Sequence, residues 1–467
     1  MATSALAPRA REERGAAVGS PTTCFPLAVL EVHLEAGLRS LLPGRSSAGD
    51  GVARQARTAL VLVRLHGHPL GVVALDLAAP EPPRSWSEAV SSALGPAIDA
   101  HLRADGLVPV RPLELWRPAP CPRPRCLAAR REALARARPA SVVVATRERP
   151  RQLERCLDSL LALDYPEFEI IVVDNDPESD DTRVACERRF AGVATARYVR
   201  ERRRGLGAAH NRALSEAQGD VVAFTDDDVV VDRSWLSALV EPFVTDPAVG
   251  AATGLILPAE LETPTQWLLE AHGRFAKGFA PFVVDRATRR PADPLFPFSA
   301  GRLGSGASMA FDARLLRDIG GFDPALGTGT PAMGGDDLAA LFSVLQTGAA
   351  LAYQPAAIAW HRHHREPAAL ARQAYGYGVG LGAYVTSVAL KDARVAAALA
   401  GRLPQALVHT FRHSGAAAIA EGDLARLVPG APAWPAALSR LERRGILAGP
   451  AAYLRSRHRL RRAGDTR

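Results

Sequence analysis

Lysine is almost missing from this 467-residue chain. It occurs only as Lys277 and Lys391, so the basic side of the composition is nearly all arginine. With abundant alanine, glycine and proline, this is the imprint of a GC-rich genome. The formal net charge of +8 is therefore weak evidence for a nucleic-acid partner. A basic surface still suits nucleotide phosphates or anionic lipid. Aromatic residues make up 6% of the chain, too few for a base-stacking platform, and no nucleic-acid-binding motif stands out. Cysteine is scarce and odd in number: Cys24, Cys121, Cys126, Cys156 and Cys186. An odd count in a long chain, with no apolar signal segment in the first twenty residues, points to a reducing compartment, the cytoplasm. Long apolar runs are missing too; no uncharged stretch reaches the ~20 residues that span a bilayer.

What is present reads as several units. Residues 1–25 are expected to be disordered. Residues 26–110 form a small α+β unit. In it, strand-like runs at 59–65 and 71–77 flank a turn, His66-Gly67-His68-Pro69, and a helix covers Ser87 to Leu102. Histidines in such a turn read as solvated. Residues 111–139 are a Pro/Arg-rich linker ending in a short helix near Arg130–Ala137. Cys121 and Cys126 sit there at a metal-compatible spacing, but no second Cys/His pair follows nearby. Residues 140–365 alternate strand and helix, the pattern of a mainly parallel α/β sheet. Leu153, Cys156, Leu157, Leu160 and Leu161 recur at helical spacing, which makes Cys156 a core residue. Residues 366–467 are helical, with a small-residue stretch at 368–385 and a basic end from Arg455 to Arg462. Small faces permit close helix packing or membrane contact, and arginines rest well on anionic headgroups. Peripheral contact with the inner face of a membrane is therefore an expectation, with a solvated basic tail as the alternative.

The chemistry gathers at strand exits. The apolar run Val221–Thr225 ends in Asp226, Asp227 and Asp228. Three carboxylates at a buried strand end repel one another, and a divalent cation with oxygen ligands neutralises them. A solvated acidic turn is the alternative. Thr146 and Arg149 follow one apolar strand, Asp174 and Asn175 another. In an α/β sheet such exits share one edge, where a nucleotide sits.

Six segments in order resemble the family 2 glycosyltransferases. They are VVVATRERPRQLERCLDSLLALDYPEFEIIVVDNDP from Val142, GLGAAHNRAL from Gly205 and GDVVAFTDDDVVVDRSWL from Gly219. GSGASMAFDARLLRDIGGFDPALG from Gly304, GGDDLAALFSVLQTG from Gly334 and the AWHRHH run from Ala359 complete the set. The resemblance covers about Ser141 to His364. It implies a GT-A fold, a mainly parallel sheet flanked by helices, acting on a nucleotide-diphosphate sugar. By that resemblance Asp226 and Asp228 are the ends of a DxD motif holding Mn²⁺ or Mg²⁺. His361 is the third metal ligand, as neutral imidazole, with His363 and His364 as competitors for the role. Asp227 contacts ribose or sugar; Thr146, Arg149, Asp174 and Asn175 sit at the nucleobase and ribose, and Asn211 orients the donor. Asp337 is the general base, supported by Asp336 where glutamate is commoner, and a single base implies inversion at the anomeric carbon. Residues 323–335, rich in Gly, Thr and Pro, are expected to be a mobile loop over the site. The acceptor is a hydroxyl of a glycan, glycolipid or polysaccharide precursor. Aromatics between Glu260 and Ser299 flank that side, read chiefly as core. The competing functions are a catalytically inactive sugar-nucleotide-binding or scaffold protein, and a sugar-nucleotide pyrophosphorylase. The latter is disfavoured because Ala145-Thr146-Arg147-Glu148 lacks glycine.

Overall fold

The computed structural model describes residues 24–38, 42–43, 55–109, 113, 124–402 and 424–464. The expected disorder of 1–25 falls almost wholly outside these residues, as do Cys121 and the stretch 403–423.

Two sheets organise the chain. The smaller has order β2-β1-β3-β4, from β1 (Ala28–His33), β2 (Leu42–Pro43), β3 (Thr58–Leu65) and β4 (His68–Asp76). β3 and β4 are the expected hairpin, turning through His66 and Gly67, both at positive φ. β1 runs parallel to β3 and escaped the sequence reading. The helix Pro82–Ala104 packs on β4 and starts earlier than Ser87, because Pro82 and Pro83 fit a first helical turn. The linker helix also starts earlier than expected, spanning Arg125–Ala135 just after Pro124.

The larger sheet is built from β5 (Ala140–Thr146), β6 (Phe168–Asn175), β7 (Ala196–Glu201), β8 (Val221–Asp226), β9 (Val229–Val231), β10 (Val249–Pro258), β11 (Phe282–Val284), β12 (Met309–Asp312) and β13 (Ala350–His361). Its order is β11-β13-β10-β12-β8-β5-β6-β7, with β9 paired to β13. Strands β5, β6, β7, β8, β10 and β13 run the same way; β9, β11 and β12 run against them. Helices cover both faces and give two apolar cores, one around Val142, Leu157 and Trp235, the other around Val143, Phe224 and Leu341. Burial on both faces explains why the strands read as continuous Val/Ile/Ala runs rather than alternating ones.

The small sheet docks on this body. Leu27, Val29, Leu60 and Leu62 share a core with Leu255, Ile358 and Trp360. Arg64, buried, bonds Asp232 at 2.8 Å and Glu31 at 3.1 Å. At the other end, the helices Pro367–Lys391 and Ala436–Gly464 pack backbone to backbone. Gly378 and Gly382 on one face Gly445 and Gly449 on the other; a Cβ on Gly378 would collide with the Glu442 carbonyl. This contact buries the small-residue stripe, so of the two uses expected for it, helix packing is the one observed. No described helix is long and apolar enough to cross a membrane.

Candidate active site

Strand register alone aligns the polar exits. β5 pairs in parallel with both β6 and β8, setting Thr146 beside Asp174 and Ala145 beside Asp226. β8 ends at Asp226, and β9 departs three residues later. β9 pairs His361 with Val229, and the Arg362 amide donates to the Asp228 carbonyl at 3.1 Å. The end of β13 is thereby pinned against the aspartate turn. Ligand atoms of Asp226, Asp228 and His361 all lie within 4.8 Å of one another, with His361 Nε2 3.4 Å from Asp228 Oδ1. The other two histidines stand apart from this group. His363 Nε2 is 2.7 Å from Glu270 Oε2, deep in the protein, and His364 contributes no atom to the cluster.

Asp227 points elsewhere. It accepts from the Thr146 hydroxyl at 2.6 Å and from Arg149 at 3.3 Å, and the same Arg149 nitrogen is 3.4 Å from Asp228. Thr146 and Arg149 therefore hold the triplet in place. Burial, reinforced by the Asp228 charge, raises both Asp226 and Asp227 above the ordinary carboxylate range. Burial opposes ionisation of Asp228 too, but His361 and Arg149 outweigh it and hold that carboxyl low. His361 is pushed up to about 8, burial being overcome by Asp228 and Asp226. The neighbouring carboxylates thus favour positive charge at this position, carried by a proton on the imidazole or by a cation that the neutral imidazole ligates. Asp228 Oδ1 and His361 Nδ1 are buried with no hydrogen bond among the described residues. Two hard carboxylate oxygens and an imidazole, with orphaned atoms and an unrelieved negative field, fit Mn²⁺ or Mg²⁺.

A short relay links Asp337 to the same strand end. Thr225, just before the triplet, donates to the Ala307 carbonyl at 2.9 Å, and the next residue back, Gly306, donates its amide to Asp337 Oδ2 at 2.9 Å. Asp337 Oδ1 accepts from the Leu338 amide at 2.8 Å. Gly335, in the left-handed conformation, is the N-cap of the helix Asp336–Gln346, so both aspartates lie in its first turn. Burial and the Asp336 charge push Asp337 up to about 6. Asp336 is buried with its Oδ2 3.3 Å from His210 Nδ1.

Several expected donor contacts are occupied otherwise. Asn175 accepts from the Gly205 amide at 2.8 Å and donates to the Arg203 carbonyl at 2.7 Å, so it braces the loop before the helix Leu206–Glu216. Asn211 exchanges two 2.8 Å bonds with the Phe322 backbone. Its amide matches a peptide edge and clamps that segment instead of reaching a donor. Asp174 is fully buried; Oδ2 accepts from the Tyr198 hydroxyl at 2.8 Å while Oδ1 has no partner. The segment 323–335, expected to be mobile, is tied down. Asp323 accepts from Ser387 at 2.6 Å and Tyr453 at 2.8 Å, and Ala325, Leu326 and Ala332 are buried. Small residues let this segment settle against the C-terminal helices rather than swing free. Among the aromatics, Trp267, Phe296 and Phe298 are core, and Phe275 packs on the His361 ring at 5.7 Å.

Two residues were missed. His210 sits beside Asp336, its Nδ1 3.3 Å from Asp336 Oδ2, and packs its ring on Phe224 of β8. Lys277 lies in the field of Asp337 and Glu270, yet burial pulls it down to about 8. The available signals were the histidine beside Asn211 and the rarity of lysine itself.

The model of the family described as "Glycosyl transferase family 2" matches residues 141–296. A "Pre-mycofactocin glycosyltransferase" of Mycobacterium tuberculosis is 29% identical over 236 residues, 49% of this chain and 44% of that protein. A "Glucosyl-dolichyl phosphate glucuronosyltransferase" of Haloferax volcanii is 28% identical over 121 residues, 25% of this chain and 38% of that protein. The chain thus spans less than half the length of these relatives. A solved mannosyltransferase of Pyrobaculum calidifontis, in complex with GDP-Man and Mn²⁺, aligns with 69% of this chain and 95% of its own at 20% identity and a TM-score of 0.45.

Proposed function

From its membership of glycosyl transferase family 2, we propose that this chain is a metal-dependent, inverting transferase. It moves a hexose-type sugar from a nucleotide-diphosphate donor to an acceptor hydroxyl of a glycan, glycolipid or polysaccharide precursor. The observation that carries this reading is the gathering of Asp226, Asp228 and His361 at the end of β8, with Asp337 linked to the same strand end through Thr225, Ala307 and Gly306.

Asp226, Asp228 and His361 would hold the divalent cation, which supplies positive charge where the departing diphosphate becomes negative. Arg149, half-exposed and already against Asp227 and Asp228, is free to turn its guanidinium toward the nucleotide once the triplet is neutralised. Thr146 keeps Asp227 aimed at the donor side. Asp174, with one unsatisfied oxygen, is the acceptor available to a base or ribose group after Tyr198 moves.

Asp337 takes the proton of the acceptor hydroxyl as that oxygen attacks the anomeric carbon. The Gly306 and Leu338 amides fix both its oxygens, which orients the carboxylate before substrate arrives. Its raised affinity for protons makes it a stronger base than a solvated carboxylate. A single base and an in-line displacement imply inversion at the anomeric carbon.

The exposed Leu447 and Leu454, on the helix that carries Arg455, Arg457 and Arg459, support peripheral contact with an anionic membrane. Flotation with anionic liposomes at low salt tests that contact; protein left in the soluble fraction removes it. The transfer itself is tested by a donor panel with Mn²⁺, scored by nucleoside diphosphate release. Metal-independent nucleotide binding without turnover of any donor would favour the scaffold reading.

A further inference from the structure

A second cluster of metal-ligating side chains lies in the N-terminal unit, and none of its members belongs to the acidic cleft. His66 comes from the β3–β4 turn, His101 from the last turn of the helix Pro82–Ala104 and Asp105 from its C-cap, and Cys126 from the first turn of the helix Arg125–Ala135. One ligand atom from each lies within 4.8 Å of all the others. Asp105 Oδ2 is the hub: it is 2.7 Å from His66 Nδ1, 3.2 Å from His101 Nε2 and 3.0 Å from Cys126 Sγ, and Cys126 Sγ is 3.8 Å from His101 Nε2. His66 and Asp105 are buried; His101 and Cys126 are nearly so.

A hydrogen-bond network alone explains this arrangement poorly. Three donors crowd one carboxylate oxygen, while the other oxygen is already taken by the Cys126 amide at 2.8 Å. A tetrahedral Zn²⁺ with arms of about 2.0–2.3 Å has ligand–ligand edges of about 3.3–3.7 Å. Three of the distances fall below those edges, as shared protons would draw them in, and the Cys126–His101 distance of 3.8 Å lies just above them. The donor set of two imidazoles, one carboxylate and one thiolate is a zinc set. Its two negative charges balance the ion. His101 and Asp105 are four apart on one helix face, so a single rotamer choice at each presents both. The outer contacts are also those of a metal site. The Cys126 amide orients Asp105, and the His66 amide donates to Glu35 at 3.4 Å. Arg130, one turn beyond Cys126, has its Nε and one terminal nitrogen without hydrogen bonds. His66 holds a left-handed backbone conformation (φ 52°) unusual outside glycine, which aims its ring inward at this cluster.

We infer that His66, His101, Asp105 and Cys126 form a structural Zn²⁺ site that fastens the linker helix Arg125–Ala135 to the N-terminal unit. The linker helix also packs against the helix Trp235–Thr245 of the large body, so the ion fixes the N-terminal unit to the catalytic one through that helix.

The test uses the full chain. Zinc content by mass spectrometry after dialysis should be one equivalent, kept in Asp228→Ala and lost in Cys126→Ser and His101→Ala. Cobalt replacement should give a thiolate-to-metal charge-transfer band, which Asp226, Asp228 and His361, the ligand group of the acidic site, cannot produce because none of them carries sulfur. Zinc should also slow alkylation of Cys126 at least tenfold, read by peptide mapping, while Cys24 is unchanged. The band and the alkylation assay need only the wild-type protein, so a variant that misfolds does not blunt the test. Absence of the charge-transfer band, or zinc retained in a folded Cys126→Ser protein, overturns the site.

Discussion

At the scale of single residues, the site is a contest between charges that want water and a fold that denies it. Asp337, the proposed base, is fixed by two amides and raised by burial and by Asp336. Asp337→Asn keeps shape and removes the base. It is expected to lower kcat by about 10²-fold or more with donor affinity nearly unchanged. A steady-state assay alongside nucleotide titration checks both halves; full rate in the variant removes the assignment. The same residue sets a pH limb. Since Asp337 works ionised, and burial with Asp336 lifts it to about 6, kcat should climb as pH rises through about 6 and level off above it. The limb should vanish in Asp337→Asn. Asp228→Ala acts differently, removing a ligand and the partner of His361. Donor binding in Mn²⁺ should weaken by about tenfold or more, while metal-free binding changes little.

At the scale of elements, the glycines of the two long C-terminal helices are the clearest case of tertiary contact overriding local preference. Gly378→Ala should gain about 1 kcal/mol from helix propensity. The added Cβ meets a backbone carbonyl that cannot swing aside, and overpacking of this kind costs about 1–3 kcal/mol. Net destabilisation is therefore expected in a denaturant melt; a stabilised variant would show that the helices do not pack this closely. The segment 323–335 hangs on this pair through Ser387 and Tyr453, so loosening the helices should also lower kcat.

At the scale of the whole molecule, two buried charge systems tie stability to conditions. Arg64 joins the small sheet to Asp232 of the large body, and burial is overcome there so that Asp232 stays far below the ordinary carboxylate range. Arg64→Met strands Asp232 and Glu31 as buried charges, and a loss of about 3–5 kcal/mol is expected by denaturant unfolding. The aspartate triplet has the opposite sign. Asp226 and Asp227 hold protons in the folded chain at pH values where the unfolded chain has released them. Without metal, the fold therefore loses stability as pH rises from about 4 through the raised folded values. A bound cation relieves that loss. Mn²⁺ should raise Tm more at about pH 7.5 than at about pH 5.5, and a shift independent of pH would contradict the triplet as its site.

Reading along the chain was enough wherever one strand or one helix carries the signal. The run Val221–Thr225 closing on three aspartates, the turn at His66 and Gly67 and the apolar face of Leu153–Leu160 are local patterns, because strand and helix periodicity repeats within a few residues. What the chain alone could not decide is pairing at a distance. Asn175 and Asn211 read as donor ligands, yet each amide satisfies a backbone edge 28 to 111 residues away. β1 pairs in parallel with β3, which no turn announces. His66 read as a solvated turn histidine and Cys126 as half of a pair with Cys121, sixty residues apart, and only the packing of two helices on a hairpin sets them around Asp105. Sequence thus determined which side chains this protein has to neutralise; the tertiary fold decided which partners are close enough to do it, since electrostatic and ligand bonds act over a few ångströms of space and take no account of chain order.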